Sequence, residues 1–187
     1  MKRHNSTRPW VTFFSQTGTE IRNLAKDLDY WPDLIITNER PEDLRTINPK
    51  LIKEYPGEII QVSNRPTDEE LRSVLYGYYN PIITLHGWLR IMSPWMCENY
   101  DIYNGHPGLI TVYPELKGKD PQMRAFMGNY EWIGSVLHHV SEGVDEGRII
   151  AQAAVRGEGL DMDGTFHILS KLSHGLWTAF LEKQLGS

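Results

Sequence analysis

Trp10-Val11-Thr12-Phe13-Phe14-Ser15-Gln16-Thr17-Gly18-Thr19-Glu20-Ile21 is the stretch whose reading decides the fold. A β-prone run meets a single glycine, and beyond it Ile21, Leu24, Ala25 and Leu28 recur at helical spacing. Strand, glycine turn, helix is the opening of an α/β unit in which the first amides of the helix face an anion. Two readings of the turn stay open. Gly18 and Thr19 form a phosphate cradle, or the segment is a plain strand-to-helix turn with Thr19 as its N-cap.

Outward from that unit the alternation continues. Asp33 to Asn38 reads as a second buried strand, Pro41 to Tyr55 as a loose helix interrupted at Pro49, and Glu58 to Val62 as a third strand. Thr67-Asp68-Glu69-Glu70 is a capping box that opens a helix carrying Leu71, Val74 and Leu75. Pro81 to His86 is a fourth strand, and Ser93 with Pro94 starts a short helix. Strands alternating with helices predict a mostly parallel sheet flanked by helices, of the Rossmann-like α/β class. Ile133 to Val140 and Arg148 to Val155 read as a hairpin, which predicts an antiparallel C-terminal portion. A last helix begins at Asp161 or Asp163, with an apolar stripe of Phe166, Leu169, Leu172, Leu176, Trp177 and Phe180. On its other face His167, Lys171 and His174 cluster, as a solvated basic face or as a face turned to a substrate anion.

The 187 residues suit one domain spanning 1–187, with 1–8 read as a flexible N-terminal tail. A net charge of -5 gives no general electrostatic reason to bind nucleic acid. No segment approaches the roughly 20 apolar residues of a membrane helix, so no membrane partner is expected and the default location is cytoplasmic. The single cysteine, Cys97, suits a reducing compartment and sits among Trp95, Met96 and Tyr100, as a packed helix residue does.

Chemistry concentrates in Tyr103-Asn104-Gly105-His106-Pro107-Gly108. On extended backbone, side chains at i and i+2 share a face, so Asn104 and His106 point the same way, and Pro107 holds His106 out of the helical region. An amide donor beside a titratable imidazole is what a reaction through a tetrahedral oxyanion requires. Gly105 and Gly108 leave room for a substrate or another backbone.

Three stretches occur together in order: Gly87-Trp88-Leu89-Arg90-Ile91-Met92-Ser93-Pro94, Asn104-Gly105-His106-Pro107, and Gly134 to Val140 followed by Asp145-Glu146-Gly147-Arg148. This set resembles the folate-dependent formyltransferases, most closely their glycinamide ribonucleotide branch, over about residues 81–156. The resemblance implies a Rossmann-like formyltransferase fold. It implies transfer of a formyl group from 10-formyltetrahydrofolate to a primary amine: glycinamide ribonucleotide in purine biosynthesis, or another phosphorylated amine. The alternatives it leaves are hydrolysis of the same folate to formate, and N-formylation of an amino sugar nucleotide. By position, Asn104, His106 and Asp145 are the implied catalytic residues. Trp88, Leu89, Arg90, Ile91 and Met92 with Val140, Ser141, Glu142, Gly143 and Val144 are the implied folate pocket. Gly18, Thr19 and Glu20 occupy the place of the substrate-phosphate loop, with Arg22, Lys171 and His174 as its supporting cations. The implied partners are small molecules, the folate being a co-substrate; no metal is expected, and the assembly is a monomer or homodimer.

Two departures bear on the acceptor. Glu20 stands where that branch has asparagine, and a carboxylate near a phosphate is repulsive unless a cation intervenes. The loop Glu115 to Asp120 lacks the family's glycine and histidine pattern. A carboxylate at Asp145 is also expected to raise the His106 pKa.

Overall fold

A computed structural model describes residues 8–38 and 46–186. Its strands join in one seven-stranded sheet of order β3-β2-β1-β4-β5-β6-β7. These are β1 (Trp10–Phe14), β2 (Leu34–Thr37), β3 (Ile59–Gln61), β4 (Ile82–Leu85), β5 (Asp101–His106), β6 (Trp132–His139) and β7 (Ile149–Arg156). The first five pair in parallel, and β6 and β7 run antiparallel. β1, β2 and β4 are buried along their whole lengths, as the continuous apolar runs of a covered parallel sheet require.

Helices lie on both faces: α1 (Thr19–Asp27), α2 (Pro49–Glu54), α3 (Asp68–Leu75), α4 (Pro94–Asn99), α5 (Pro121–Met127) and α6 (Met162–Leu185). Alternating strand residues divide the core between them. Val11, Phe13, Ile83 and Ile102 pack with Leu71, Leu75 and Met96 of α3 and α4. Trp10, Ile82, Tyr103 and Leu137 pack with Leu24 of α1 and Trp177 and Leu181 of α6. Burying such side chains contributes roughly 1.5–3 kcal/mol each. The chain reverses its strand order between β1 and β4, and a crevice opens there beyond their carboxyl ends.

Local chemistry departs from expectation at several points. Gly18, in the left-handed region at φ 66, is the N-cap of α1, and Thr19 is its first helical residue. A Cβ at Gly18 would stand 2.5 Å from Leu51 of α2, so turn and packing both demand glycine. Pro49 starts α2 behind the Asn48 cap, since a proline is tolerated at the first helical position where no amide bond is lost. Residues 41–45 of the longer helix expected there lie outside the described residues. In α6 the buried stripe is Thr165, Leu169, Trp177, Phe180, Leu181 and Leu185, while Phe166 is exposed. Asp161 caps this helix by accepting from the Gly164 amide at 2.7 Å. Arg8, expected at the end of a tail, bonds the carbonyls of Asn80 and Pro81 and pairs with Asp101 at 2.6 Å. The remainder of that tail, 1–7, lies outside the described residues. No described helix is long and apolar enough to cross a membrane.

Candidate active site

β5 places Asn104 beside Leu85 of β4 on one side and opposite His138 of β6 on the other. Both Asn104 and His106 line the crevice, a cavity of about 1390 Å³. Asp145, in the β6–β7 connection, adopts φ 52, a conformation uncommon outside glycine and asparagine. Three nitrogens surround its carboxylate. His106 Nδ1 lies 3.2 Å from Oδ2, the Gly118 amide donates to Oδ2 at 2.8 Å, and His138 Nε2 lies 3.3 Å from Oδ1. Asn104, His106 and Asp145 therefore meet, although 41 positions separate the first from the last (145 − 104).

His138, part of the Gly134 to Val140 stretch, is the member to which the sequence assigned no role. Its Nδ1 donates to the His139 carbonyl at 3.0 Å, which turns Nε2 toward Asn104 Nδ2 at 3.2 Å as well as toward Asp145. Neutral, it accepts from the amide; charged, it donates to the carboxylate. The strand register that sets it opposite Asn104 is the only signal of its place. Gly105 also has a different reason from the one expected. On its Cβ side the Trp177 indole stands 2.6 Å from where a Cβ would be, so the glycine makes room for an α6 side chain while still lining the cavity.

Burial lowers the His106 pKa below 6.5, against the opposing effects of Asp145 and the Leu116 carbonyl. The expected rise is thus reversed, because a ring only 5% exposed loses more hydration than one carboxylate returns. Burial pushes the Asp145 carboxyl up, but the His138 hydrogen bond, the His106 charge and the Gly118 amide together bring it below 3.8. The resting pair is a neutral imidazole beside a carboxylate. His106 Nε2 also lies 2.9 Å from the Leu116 carbonyl, in a loop whose carbonyls at Glu115, Leu116 and Lys117 are gathered by Arg124. A neutral ring has one N–H for two acceptors. Donated to Asp145, that proton leaves the Nε2 lone pair against the Leu116 carbonyl; donated to Leu116, it leaves the Nδ1 lone pair against Asp145, so the ring has a place for its proton at either nitrogen.

On one side of this cluster, the segments 88–92 and 140–144 wall the cavity. Leu89, Ile91 and Val144 are exposed apolar side chains on that wall, a surface suited to a flat heteroaromatic ring. Trp88 and Met92 line it too but are chiefly core, with Trp88 packed edge-on against Phe13 at 5.3 Å. The Arg90 guanidinium is engaged by Asn64 and the Leu89 carbonyl, which leaves its backbone to face a ligand. Val140, Ser141 and Gly143 line the cavity, whereas Glu142 does not. The turn directs the Glu142 charge toward Cys97, whose thiol is pushed up by burial and then by that carboxylate.

On the other side, Gly18, Thr19, Glu20, Arg22, Lys171 and His174 all line the same cavity. Two of the three expected cations are already paired. Glu54 holds Arg22 through both oxygens, at 3.1 and 2.8 Å, and Asp27 holds His174 at 2.7 Å. Glu20 turns inward, with Oε2 2.8 Å from His86 Nδ1 and Oε1 accepting from Ser173 Oγ at 2.8 Å. Its carboxyl is pushed up by burial and, more strongly, brought down by His86 and Ser173, so it stays ionised.

A mostly parallel α/β sheet with an amide, an imidazole and a carboxylate converging on one cavity beyond the end of β5 defines a domain equipped for acid–base chemistry on a bound small molecule. The family model described as formyl transferase matches residues 36–157, and the chain belongs to that family. It is similar to phosphoribosylglycinamide formyltransferase of Bacillus subtilis, 32% identical over 108 residues, which cover 56% of this chain and 54% of the relative. It is also similar to formyltetrahydrofolate deformylase 2, mitochondrial, of Arabidopsis thaliana, 31% identical over 91 residues, covering 48% of this chain and 26% of that protein. The chain thus matches about half the length, or less, of these curated relatives. In fold it follows the crystal structure of phosphoribosylglycinamide formyltransferase from Campylobacter jejuni, with TM-score 0.81, 22% identity, and coverage of 96% of this chain and 98% of that one.

Proposed function

We propose that this protein transfers a formyl group from 10-formyltetrahydrofolate to a primary amine, with glycinamide ribonucleotide of purine biosynthesis as the reference acceptor. One observation carries the reading: in a member of the formyl transferase family, Asn104, His106 and Asp145 converge on one cavity wall. The amine nitrogen bonds to the formyl carbon, and the resulting tetrahedral species holds a developing oxyanion. Asn104 has two N–H donors; His138 takes at most one, and the other serves that oxygen, a contribution of about 3–4 kcal/mol. His106 Nε2 takes the proton leaving the amine and returns it to the folate nitrogen as the carbon–nitrogen bond to folate breaks. With Nδ1–H donated to Asp145, Nε2 carries the lone pair, which serves the amine once substrate displaces its 2.9 Å contact with the Leu116 carbonyl. The apolar wall of Leu89, Ile91 and Val144 seats the folate ring. The partners are these small molecules, and we place the protein in the cytoplasm as a monomer or homodimer.

Hydrolysis of the same folate is the second reading, favoured by the likeness to a deformylase. Tetrahydrofolate formation from 10-formyltetrahydrofolate, followed without acceptor and with glycinamide ribonucleotide or its ribonucleoside, separates them. Acceptor-dependent release supports transfer. Equal release without any amine assigns the hydrolase, and absence of folate binding in calorimetry removes both.

A further inference from the structure

The end of the cavity away from the folate wall carries a carboxylate held by donors on separate elements. Glu20 projects from the first turn of α1, His86 follows β4, and Ser173 lies on α6. His86 has a side chain 1% exposed and is clamped from three directions. Its Nε2 lies 3.0 Å from Thr84 Oγ1, which accepts the Trp10 indole N–H at 2.8 Å, and its ring packs on Trp177 with centroids 4.6 Å apart. An ionised carboxylate only accepts, so in either charge state of the ring Nδ1–H points at Glu20. Each Glu20 oxygen has one donor, and a carboxylate oxygen has room for two. The side chain remains 31% exposed, on a wall that also bears Asn104.

Three of the cations at this end are already engaged. Arg22 and Lys26 are spent on Glu54, and His174 on Asp27. The first helical amide of α1, Thr19 N–H, is taken by Thr17 Oγ1 at 3.2 Å. Lys119 and Lys171 also line the cavity, whose wall here carries the negative charge of Glu20.

Resting on the formyl-transfer reading for its role, we propose that Glu20, positioned by His86 and Ser173, is an acceptor-specificity residue. It forms a subsite that takes a hydroxyl or ammonium group of the amine and disfavours a phosphomonoester. The acceptor class is then a hydroxylated amine lacking phosphate at this end, such as an aminoacyl-amide nucleoside or amino sugar.

The test compares glycinamide ribonucleotide with glycinamide ribonucleoside in the intact protein and in Glu20→Gln, which keeps the side chain's size and removes its charge. Thermal denaturation establishes that the variant is folded. Loss of a charge-assisted hydrogen bond is expected to weaken nucleoside binding and kcat/KM about tenfold, while ribonucleotide use holds or rises. Ser173→Ala, which frees one Glu20 oxygen from its donor, moves the same ratio in the same direction by a smaller factor. Calorimetric binding of both compounds without folate reads the subsite independently of chemistry. A nucleoside signal that falls in Glu20→Gln upholds the subsite even where no formyl transfer occurs, and that second failure removes the transferase reading alone. Equal changes for both compounds, an unmoved ratio, no nucleoside binding by the unaltered protein, or a strong preference for the ribonucleotide in it overturns the proposal.

Discussion

The two ends of the β5–α6 wall use the same residue types to opposite effect. Around Asp145, two imidazoles each have one nitrogen directed to a backbone carbonyl and the other to a single carboxylate. There are more acceptors than a neutral ring can satisfy, so protons have somewhere to go. Around Glu20, every donor has one acceptor, and Arg22, Lys26 and His174 nearby are closed off in pairs. The first arrangement leaves a proton alternative acceptors, and the second leaves it one. Charge near a cavity is therefore a poor guide to role; the balance of donors and acceptors distinguishes a reacting group from a recognising one.

The largest test of that contrast removes the reacting groups. His106→Ala and Asn104→Ala are each expected to lower kcat at least a hundredfold while leaving folate affinity, read by calorimetry, within about threefold. Near-normal rates in both variants would show that the Asp145 end is not the reacting end. Loss of folate binding would make these residues structural.

A smaller effect concerns pH. The His106 pKa is depressed by burial, so the native protein keeps the ring neutral where the unfolded chain takes up a proton. The unfolded state then binds more protons, and stability rises with pH. It is full above about 6.5, the ordinary histidine value, and declines as pH falls toward the lowered native value. The acid limb of kcat/KM, which reports the same base, has its midpoint below 6.5. Asp145, also depressed, adds a loss only as pH falls below 3.8. A rate profile whose acid limb lies above 6.5 would mean that Asp145 outweighs burial. Abolition of the limb in Asp145→Asn would tie it to the pair.

The smallest expected effect is at the recognising end. Glu54 lies outside the cavity wall and holds Arg22 and Lys26. Glu54→Gln frees both cations and should tighten glycinamide ribonucleotide about two- to fivefold at low salt, with the gain fading as ionic strength rises. No change would show that Arg22 does not reach the acceptor, and the contrast between the ends would then rest on Glu20 alone.

The two ends also differ in how much of them could be read from the chain. Asn104 and His106 share a face because side chains alternate along a strand, a local rule that needs no tertiary information. Their meeting with Asp145 came from resemblance, and no spacing requires it. At the acceptor end, Glu20 was legible as an anomaly, and Arg22 as a cation near it. That Arg22 belongs to Glu54 and Glu20 to His86 and Ser173 depends on where α2, β4 and α6 come to rest. Phe166 looked like part of the α6 stripe, yet the helix turns it out, since Thr165 and Leu169 face the sheet.

Local periodicity and turn chemistry by themselves determined the order of strands and helices, the antiparallel ending, the glycine at the first turn and the shared face of Asn104 and His106. Strand order, register and helix placement decided the rest: His138 opposite Asn104, the exclusion of Glu142 from the cavity, the closed ion pairs beside Glu20 and the direction of the His106 shift. The division follows from range. Dihedral preferences and side-chain alternation act over a few residues, whereas desolvation and the pairing of charges are set by groups that only the folded chain brings together.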